Sequence, residues 1–309
     1  MCSRSFSPAT DIPSLQGKVI LVTGGNNGLG KQTILEYARH GPAEIWMASR
    51  NLDKANEAIR DIHAQVGGSM VPVIKPLQLD LNSLESVQRA ARQFLSEARR
   101  LDILMLNAGI MACPPALTKD GYEVQFGTNH LGHALLAKLL LPILKGTAAN
   151  DPSADVRVVV VSSGAHTMAP KAGVVFDSLK TTAEDMGGME RYGQSKTSSI
   201  LWTRYMAQMH WDIKWASLHP GVVSTGLQAG AGGASLPFRI AFKVAKPLRT
   251  TLEKGVWNQL WASVSPEVKS GTYYEPVGVT GKESSKAKDM ALAEKVAQWT
   301  DAELERFMY

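Results

Sequence analysis

Six short runs along the chain are almost entirely apolar and end in Gly, Ser, Asp or Asn. They are KVILVTG (18–24), EIWMAS (44–49), VPVIKPLQLD (71–80), LDILMLNAG (101–109), VRVVVVSS (156–163) and IKWASLHPG (213–221). A strand that is apolar on both faces needs cover on both, as in the middle of a parallel sheet. The intervening stretches supply that cover, because residues 30–40, 52–65, 83–99, 122–144 and 191–209 carry apolar positions at helical spacing. Strand and helix alternating from residue 18 to 220 predict an α/β fold, a doubly wound parallel sheet with helices on both faces and right-handed crossovers. Ligands of such sheets bind beyond the carboxyl ends of the strands, so the polar residues ending the runs are the first candidates for chemistry.

No Pro/Gly/Ser-rich linker divides the middle of the chain, which reads as one domain over residues 17–309 behind a flexible N-terminal tail, 1–16. Two stretches break the alternation, 166–190 and 224–254. Insertions at the carboxyl edge commonly form lids or substrate walls. The second is rich in Gly, Ala, Leu, Phe and Val, and the first carries Met168 and Met186, so a substrate-binding insertion for a mainly apolar molecule is expected.

Charge narrows the partners. Lys plus Arg number 33 against 28 Asp plus Glu, a net +5, and the basic residues are interspersed with acids, so no nucleic-acid partner is expected. Cys2 and Cys113 sit in no metal-ligand spacing and cannot build a disulfide framework. The first sixteen residues lack the apolar stretch of a secretory signal, position 2 is Cys where myristoylation needs Gly, and no uninterrupted apolar run reaches membrane-spanning length. A cytoplasmic protein without stable membrane insertion is the expectation. The alternating basic and apolar residues of 239–249 read as a substrate-loop helix in preference to a membrane contact.

TGGNNGLGK, 23–31, follows the first strand and opens a helix. Glycines there let the backbone turn tightly and approach a pyrophosphate, whose charge is met by amides at the helix N-terminus. The spacing T-G-x-x-x-G-x-G makes Gly24, Asn26, Asn27, Gly28, Leu29 and Gly30 candidate cofactor contacts. An NAD site would place a carboxylate at the end of the second strand, but this chain has Ser49, Arg50 and Asn51, with no acid before Asp53. A guanidinium suits a 2′-phosphate, and Lys54 adds a second positive charge, so NADP(H) is expected, with Arg50, Asn51 and Lys54 on its adenosine end.

The remaining strand ends carry Asp80 and Leu81, then Asn107, Ala108 and Gly109, then Ser162 and Ser163, and finally Pro220 to Thr225. Asn129 lies in the helix over 122–144, and Tyr192 and Lys196 lie four apart, on one face of the next helix. Taken jointly and in this order, T-G-x-x-x-G-x-G, N-A-G, the strand-end Ser, Y-x-x-x-K and P-G-x-V-x-T resemble the short-chain dehydrogenase/reductase family, a Rossmann fold, over residues 17 to about 225. ASRN, NHLGH and GTYYEPVG are similar to its retinol-dehydrogenase-like branch and the fungal relatives of that branch. The resemblance implies Tyr192 as general acid/base, Lys196 as the partner that lowers its pKa, Ser163 as the substrate-orienting hydroxyl and Asn129 as the holder of a proton-relay water. It also implies adenine contact by Asp80 and Leu81, a ribose wall of Asn107, Ala108 and Gly109, and a nicotinamide seat of Pro220, Gly221, Val222, Val223 and Thr225. Members are often homo-oligomers.

The chemistry fits these assignments. Carbonyl reduction needs a hydride on carbon and a proton on oxygen, and an ordinary phenol, with a pKa near 10, exchanges that proton poorly near neutrality. Bringing it near 7 takes roughly 4 kcal/mol of preferential phenolate stabilisation, within reach of an adjacent ammonium. The sequence therefore predicts an NADP(H)-dependent oxidoreductase for a small carbonyl or alcohol substrate. A dinucleotide-binding regulator or scaffold is the alternative, which the joint presence of Asn129, Ser163, Tyr192 and Lys196 disfavours. An NDP-sugar epimerase or dehydratase fits less well, because its G-x-x-G-x-x-G spacing does not match Gly24, Gly28 and Gly30.

Overall fold

Consecutive residues of a strand point to opposite faces, and in this chain both directions are apolar. In the computed structural model, which describes residues 6–67, 72–151, 153–223, 232–233 and 250–308, Val19 and Leu21 enter one buried layer while Ile20 and Val22 enter the other. Val158 and Val160 are separated from Val159 and Val161 in the same way. Burying such a side chain stabilises the fold by roughly 1.5–3 kcal/mol, so a polar replacement on either face of a central strand is costly.

The strands are β1 (Val19–Thr23), β2 (Glu44–Ser49), β3 (Val73–Gln78), β4 (Ile103–Leu106), β5 (Arg157–Val161), β6 (Lys214–Leu218) and β7 (Thr272–Tyr274). They form one parallel sheet in the order β3-β2-β1-β4-β5-β6-β7. The chain winds outward from β1 to β3 and then returns to place β4 beside β1, so a crevice opens where the winding reverses.

The described helices are α1 (Pro8–Asp11), α2 (Gly28–Ala38), α3 (Leu52–Val66), α4 (Leu84–Glu97), α5 (Val124–Phe126), α6 (Gly132–Asn150), α7 (Gly188–Met209), α8 (Leu252–Gly255), α9 (Trp257–Val264) and α10 (Met290–Leu304). Several start on side-chain caps: Asn51 accepts from the Lys54 amide, Ser83 from Ser86 and Asp289 from Leu292, each worth about 1 kcal/mol. One core layer joins Trp46, Phe94, Leu135 and Leu201 between the sheet and α4, α6 and α7; the other joins Ile34, Ile59 and Leu260 under α2, α3 and α9.

A π-helical turn, Gly127–Leu131, joins α5 to α6, so the helix expected over 122–144 runs from Val124 to Asn150 with a widened turn inside it. That helix is long and apolar enough to cross a membrane, but 56% of its most apolar window is buried within the fold, and its apolar face supplies core.

Two expectations change. The described part of the tail, residues 6–16, is not loose: Phe6, Ile12 and Leu15 are buried with Ile34 and Leu260, and the Leu15 amide donates to the His40 carbonyl at 2.9 Å. Three apolar residues at irregular spacing carry no periodic signal, yet together they seal one core layer. A seventh strand, β7, extends the sheet beyond the six that were read. Of the substrate wall expected over 224–254, residues 224–231 and 234–249 lie outside the described residues.

Candidate active site

The turn between β1 and α2 must fold back over the strand end. Gly24 and Gly28 have φ of 67° and 50°, the left-handed region that side chains disfavour. Gly30 is required for a different reason, since a Cβ there would lie 2.2 Å from the Gly24 carbonyl oxygen and 2.7 Å from Asn107 Nδ2. The turn is therefore seated directly against the end of β4. Asn27, at the N-cap of α2, makes no side-chain cap, so the first amides of the helix are left available beside a cavity of about 960 Å³.

The Thr23 hydroxyl ties these pieces together. It accepts from the Asn107 and Ala108 amides at 2.9 and 3.0 Å, and lies 2.9 Å from His133 Nε2. His133 Nδ1 is 3.0 Å from the Asn129 carbonyl oxygen. A carbonyl can only accept, so Nδ1 carries the proton, and in a neutral ring Nε2 then accepts from Thr23. Burial pushes His133 down to about 3, which keeps the ring neutral. One imidazole thus links the end of β1 to the π-turn. From that turn the Asn129 side chain holds Ile110 by both its amide (2.8 Å) and its carbonyl (2.9 Å), and donates to Ser195 Oγ on α7 at 3.0 Å.

The cavity runs along the carboxyl edge of the sheet. The glycine turn, Asn26, Asn27 and Leu29 form one side, with Arg50 beyond β2 and Asp80 and Leu81 beyond β3. Asn107, Ala108 and Gly109 form the floor, and Pro220, Gly221, Val222 and Val223 the far wall. Three expected residues are not on this wall. The Asn51 side chain caps α3, Lys54 stands exposed on the first turn of that helix, and Asn129 is 1% exposed with its side chain engaged by protein partners behind the surface. Asn129 braces the wall through its side-chain bonds to Ile110 and Ser195. Thr225 lies outside the described residues.

At the other end, β5 delivers two serines with different fates. Ser162 Oγ donates to the Lys196 carbonyl at 3.0 Å, anchoring α7, while the Ser163 hydroxyl hydrogen-bonds the Tyr192 phenol. Lys196 Nζ donates to the Val161 carbonyl at 2.8 Å and sits 5.7 Å from the Tyr192 ring centre. His166 fixes the turn after β5, with Nδ1 donating to the Ser163 carbonyl at 2.8 Å and Nε2 accepting from the Ser284 amide at 3.0 Å.

The electrostatics differ from the sequence expectation. Burial lowers Lys196 to about 8 and pushes Tyr192 up to about 12, with Ser163 relieving part of the rise. Desolvation therefore decides the direction of the phenol's shift, and the Ser163 hydrogen bond is what opposes it. Among the protein's own groups, Tyr192 is held protonated.

The chain matches the short chain dehydrogenase family over residues 18–233. It belongs to that family. An oxidoreductase of Schizosaccharomyces pombe is 39% identical over 305 residues, covering 97% of this chain and 88% of its own length. A short-chain dehydrogenase/reductase of Aspergillus calidoustus is also 39% identical, over 310 residues and 96% of each chain. Human retinol dehydrogenase 13 is 40% identical over 222 residues, which are 71% of this chain and 63% of that protein. Among solved structures, one from Mycobacterium paratuberculosis superposes with a TM-score of 0.74 at 27% identity and covers 98% of both chains. The retinol-dehydrogenase-like and fungal resemblance holds.

In this short chain dehydrogenase, sequence reasoning missed the residues that hold the site in shape. Thr23 was read only as part of a glycine motif; His133 closes the NHLGH run and His166 follows the fifth strand, and for both the sequence favours a structural role without naming their partners. Glu275 also lines the cavity, at the end of the unread β7.

His130 and His133 give a pH signature. Burial pushes both to about 3, whereas in the unfolded chain each titrates near the ordinary 6.5. Between those values the unfolded state binds protons that the folded state refuses, so stability is complete above 6.5 and declines as pH falls toward 3. The melting temperature is expected to drop from pH 7 to 5, above most carboxylate titration. The drop should be shallower in His133→Gln, whatever that variant's absolute stability; equal slopes would contradict a buried neutral ring.

Proposed function

We propose that the protein is an NADP(H)-dependent oxidoreductase that interconverts a carbonyl and an alcohol on a mainly apolar small molecule, with Tyr192 as general acid/base. The observation that carries this reading is the Ser163–Tyr192 hydroxyl pair, with Lys196 beside it, in the same cavity as the glycine turn. The glycine turn fits a dinucleotide because Gly30 leaves the space a Cβ would fill and the α2 amides adjoin it. Arg50 is the group that would meet a 2′-phosphate, and it supports NADP(H) over NAD(H). Bound there, NADP(H) supplies or takes up the hydride.

The rest of the reaction falls to side chains of this chain. Ser163 orients the carbonyl oxygen and stabilises negative charge as it develops. Tyr192, kept protonated by burial, gives its proton to that oxygen as the carbon is reduced. Lys196, with a pKa lowered to about 8, is mostly an ammonium at pH 7 and stabilises the phenolate left behind. A phenol held in its acid form suits reduction, and alcohol oxidation gains from higher pH. Met111, Cys113, Val124, Met168 and Met189 line the substrate end and favour an apolar body. A cytoplasmic location goes with this reading on composition alone.

A panel of aryl and alkyl ketones and aldehydes assayed with NADPH and NADH in parallel tests the proposal. Tyr192→Phe is expected to lower kcat/KM for NADPH-dependent reduction by about 10²–10⁴-fold, with NADPH affinity within a few-fold of wild type. Retained turnover would refute the acid/base role. Arg50→Asp replaces attraction for a 2′-phosphate by repulsion, so the NADPH-to-NADH ratio of kcat/KM should fall by roughly tenfold or more. An unchanged ratio would count against NADP(H) preference.

A further inference from the structure

The chemistry proposed above does not use a carboxylate, yet one stands on the substrate side of the cavity. Glu275 follows β7 and shares the wall with Ser163, Met168 and Tyr192. Its place is fixed from several sides. The Glu275 amide donates to the Val279 carbonyl at 2.8 Å, and the His219 amide donates to the Tyr274 carbonyl at 3.0 Å. Asn258 Nδ2 donates to both the His219 and Tyr274 carbonyls, at 2.8 and 2.9 Å, locking the ends of β6 and β7 together.

The two carboxylate oxygens are used differently. Oε2 accepts from the Tyr273 hydroxyl at 2.6 Å, which orients the group. Oε1 faces Gly164, the residue after Ser163: a Cβ built on that glycine would lie 3.2 Å from Oε1 and 3.6 Å from His219 Nε2. Among the described residues, no hydrogen bond to Oε1 is formed. Gly164 thus keeps open a small space bounded by Glu275, His219 and the turn that carries Ser163. Burial lowers the pKa of His219, so the ring beside this carboxylate is neutral.

We propose that Glu275, with His219 beside it, forms a subsite that accepts a hydrogen bond from a hydroxyl carried by an otherwise apolar carbonyl substrate. An ionised carboxylate can only accept, so its partner must be a donor. A carboxylate-bearing substrate would be repelled. The nearby Lys196 ammonium disfavours a cationic one, which leaves a neutral hydroxyl. The proposal rests on the carbonyl/alcohol reading for the substrate's other end and adds the feature that distinguishes one ketone from another.

The test uses aryl alkyl ketones bearing a terminal hydroxyl two to five carbons from the carbonyl, each matched by its methyl ether, which accepts but cannot donate. Dissociation constants are measured by calorimetry with the redox-inert analogue 1,4,5,6-tetrahydro-NADP present, which neither gives nor takes up a hydride, and kcat/KM is measured separately with NADPH. The full-length protein should bind at least one hydroxy ketone on the order of tenfold or more tighter than its ether. In Glu275→Gln the amide oxygen keeps the Tyr273 bond and the amide NH₂ faces the cavity, so the hydroxyl-to-ether ratio should collapse toward unity. A ratio near unity for every pair in the wild type, or one that survives in Glu275→Gln, overturns the subsite. Should Glu275→Gln fail to fold, Glu275→Ala replaces it, and the wild-type ratio is still decisive against the proposal when flat. Hydroxyl preference in binding without NADPH-dependent turnover would sink the oxidoreductase reading and leave the subsite standing. Turnover without preference would do the reverse.

Discussion

The site depends on a contact with no room in it: the Gly30 Cα lies so close to the Gly24 carbonyl and the Asn107 side chain that one added methyl would enter van der Waals space of both. That closeness lets the β1 turn lie on the end of β4 at the point where the sheet reverses its winding. Thr23 then satisfies the two amides that follow β4 with one oxygen and donates its own hydrogen bond to His133. His133 in turn reaches the π-turn that carries Asn129, and Asn129 reaches α7. A chain of hydrogen bonds thus connects the glycine turn to the helix bearing Tyr192 and Lys196. Buried networks of this kind are stiff when every member is satisfied and costly when one is missing.

Burial decides the charge states at the far end of the cavity. It depresses Lys196, raises Tyr192 and keeps His130 and His133 neutral, all in the direction that disfavours the charged form. The Ser162 and Ser163 pair shows how adjacent residues of one strand end divide their work, one hydroxyl holding the helix and the other meeting the phenol. On the proposed reading, a protonated phenol next to a strand-end hydroxyl is arranged for the reductive direction.

Much of this was legible in the sequence. The strands of the sheet centre read clearly because both faces are buried, and the site residues read clearly because strand ends converge on one edge. What failed to read depends on packing at a distance. Phe6, Ile12 and Leu15 have no period, and β7 is only three residues long, so Glu275 had no strand end to be assigned to. Asn51 followed by a helix is as good a cap as a cofactor contact, and the cap was the outcome. The spacing of Tyr192 and Lys196 identified the pair but not the sign of the net effect on the phenol, which is set by how far water is excluded. Asn129 was found by motif, yet its three side-chain hydrogen bonds are visible only once Ile110 and Ser195 are beside it.

The most direct test of the account is equilibrium titration of Gly30→Ala with NADPH, followed by nucleotide fluorescence, alongside wild type and with circular dichroism to verify the fold. The dissociation constant is expected to rise at least tenfold (about 1.4 kcal/mol or more) in a chain that still folds. Unchanged affinity in the folded variant would contradict it.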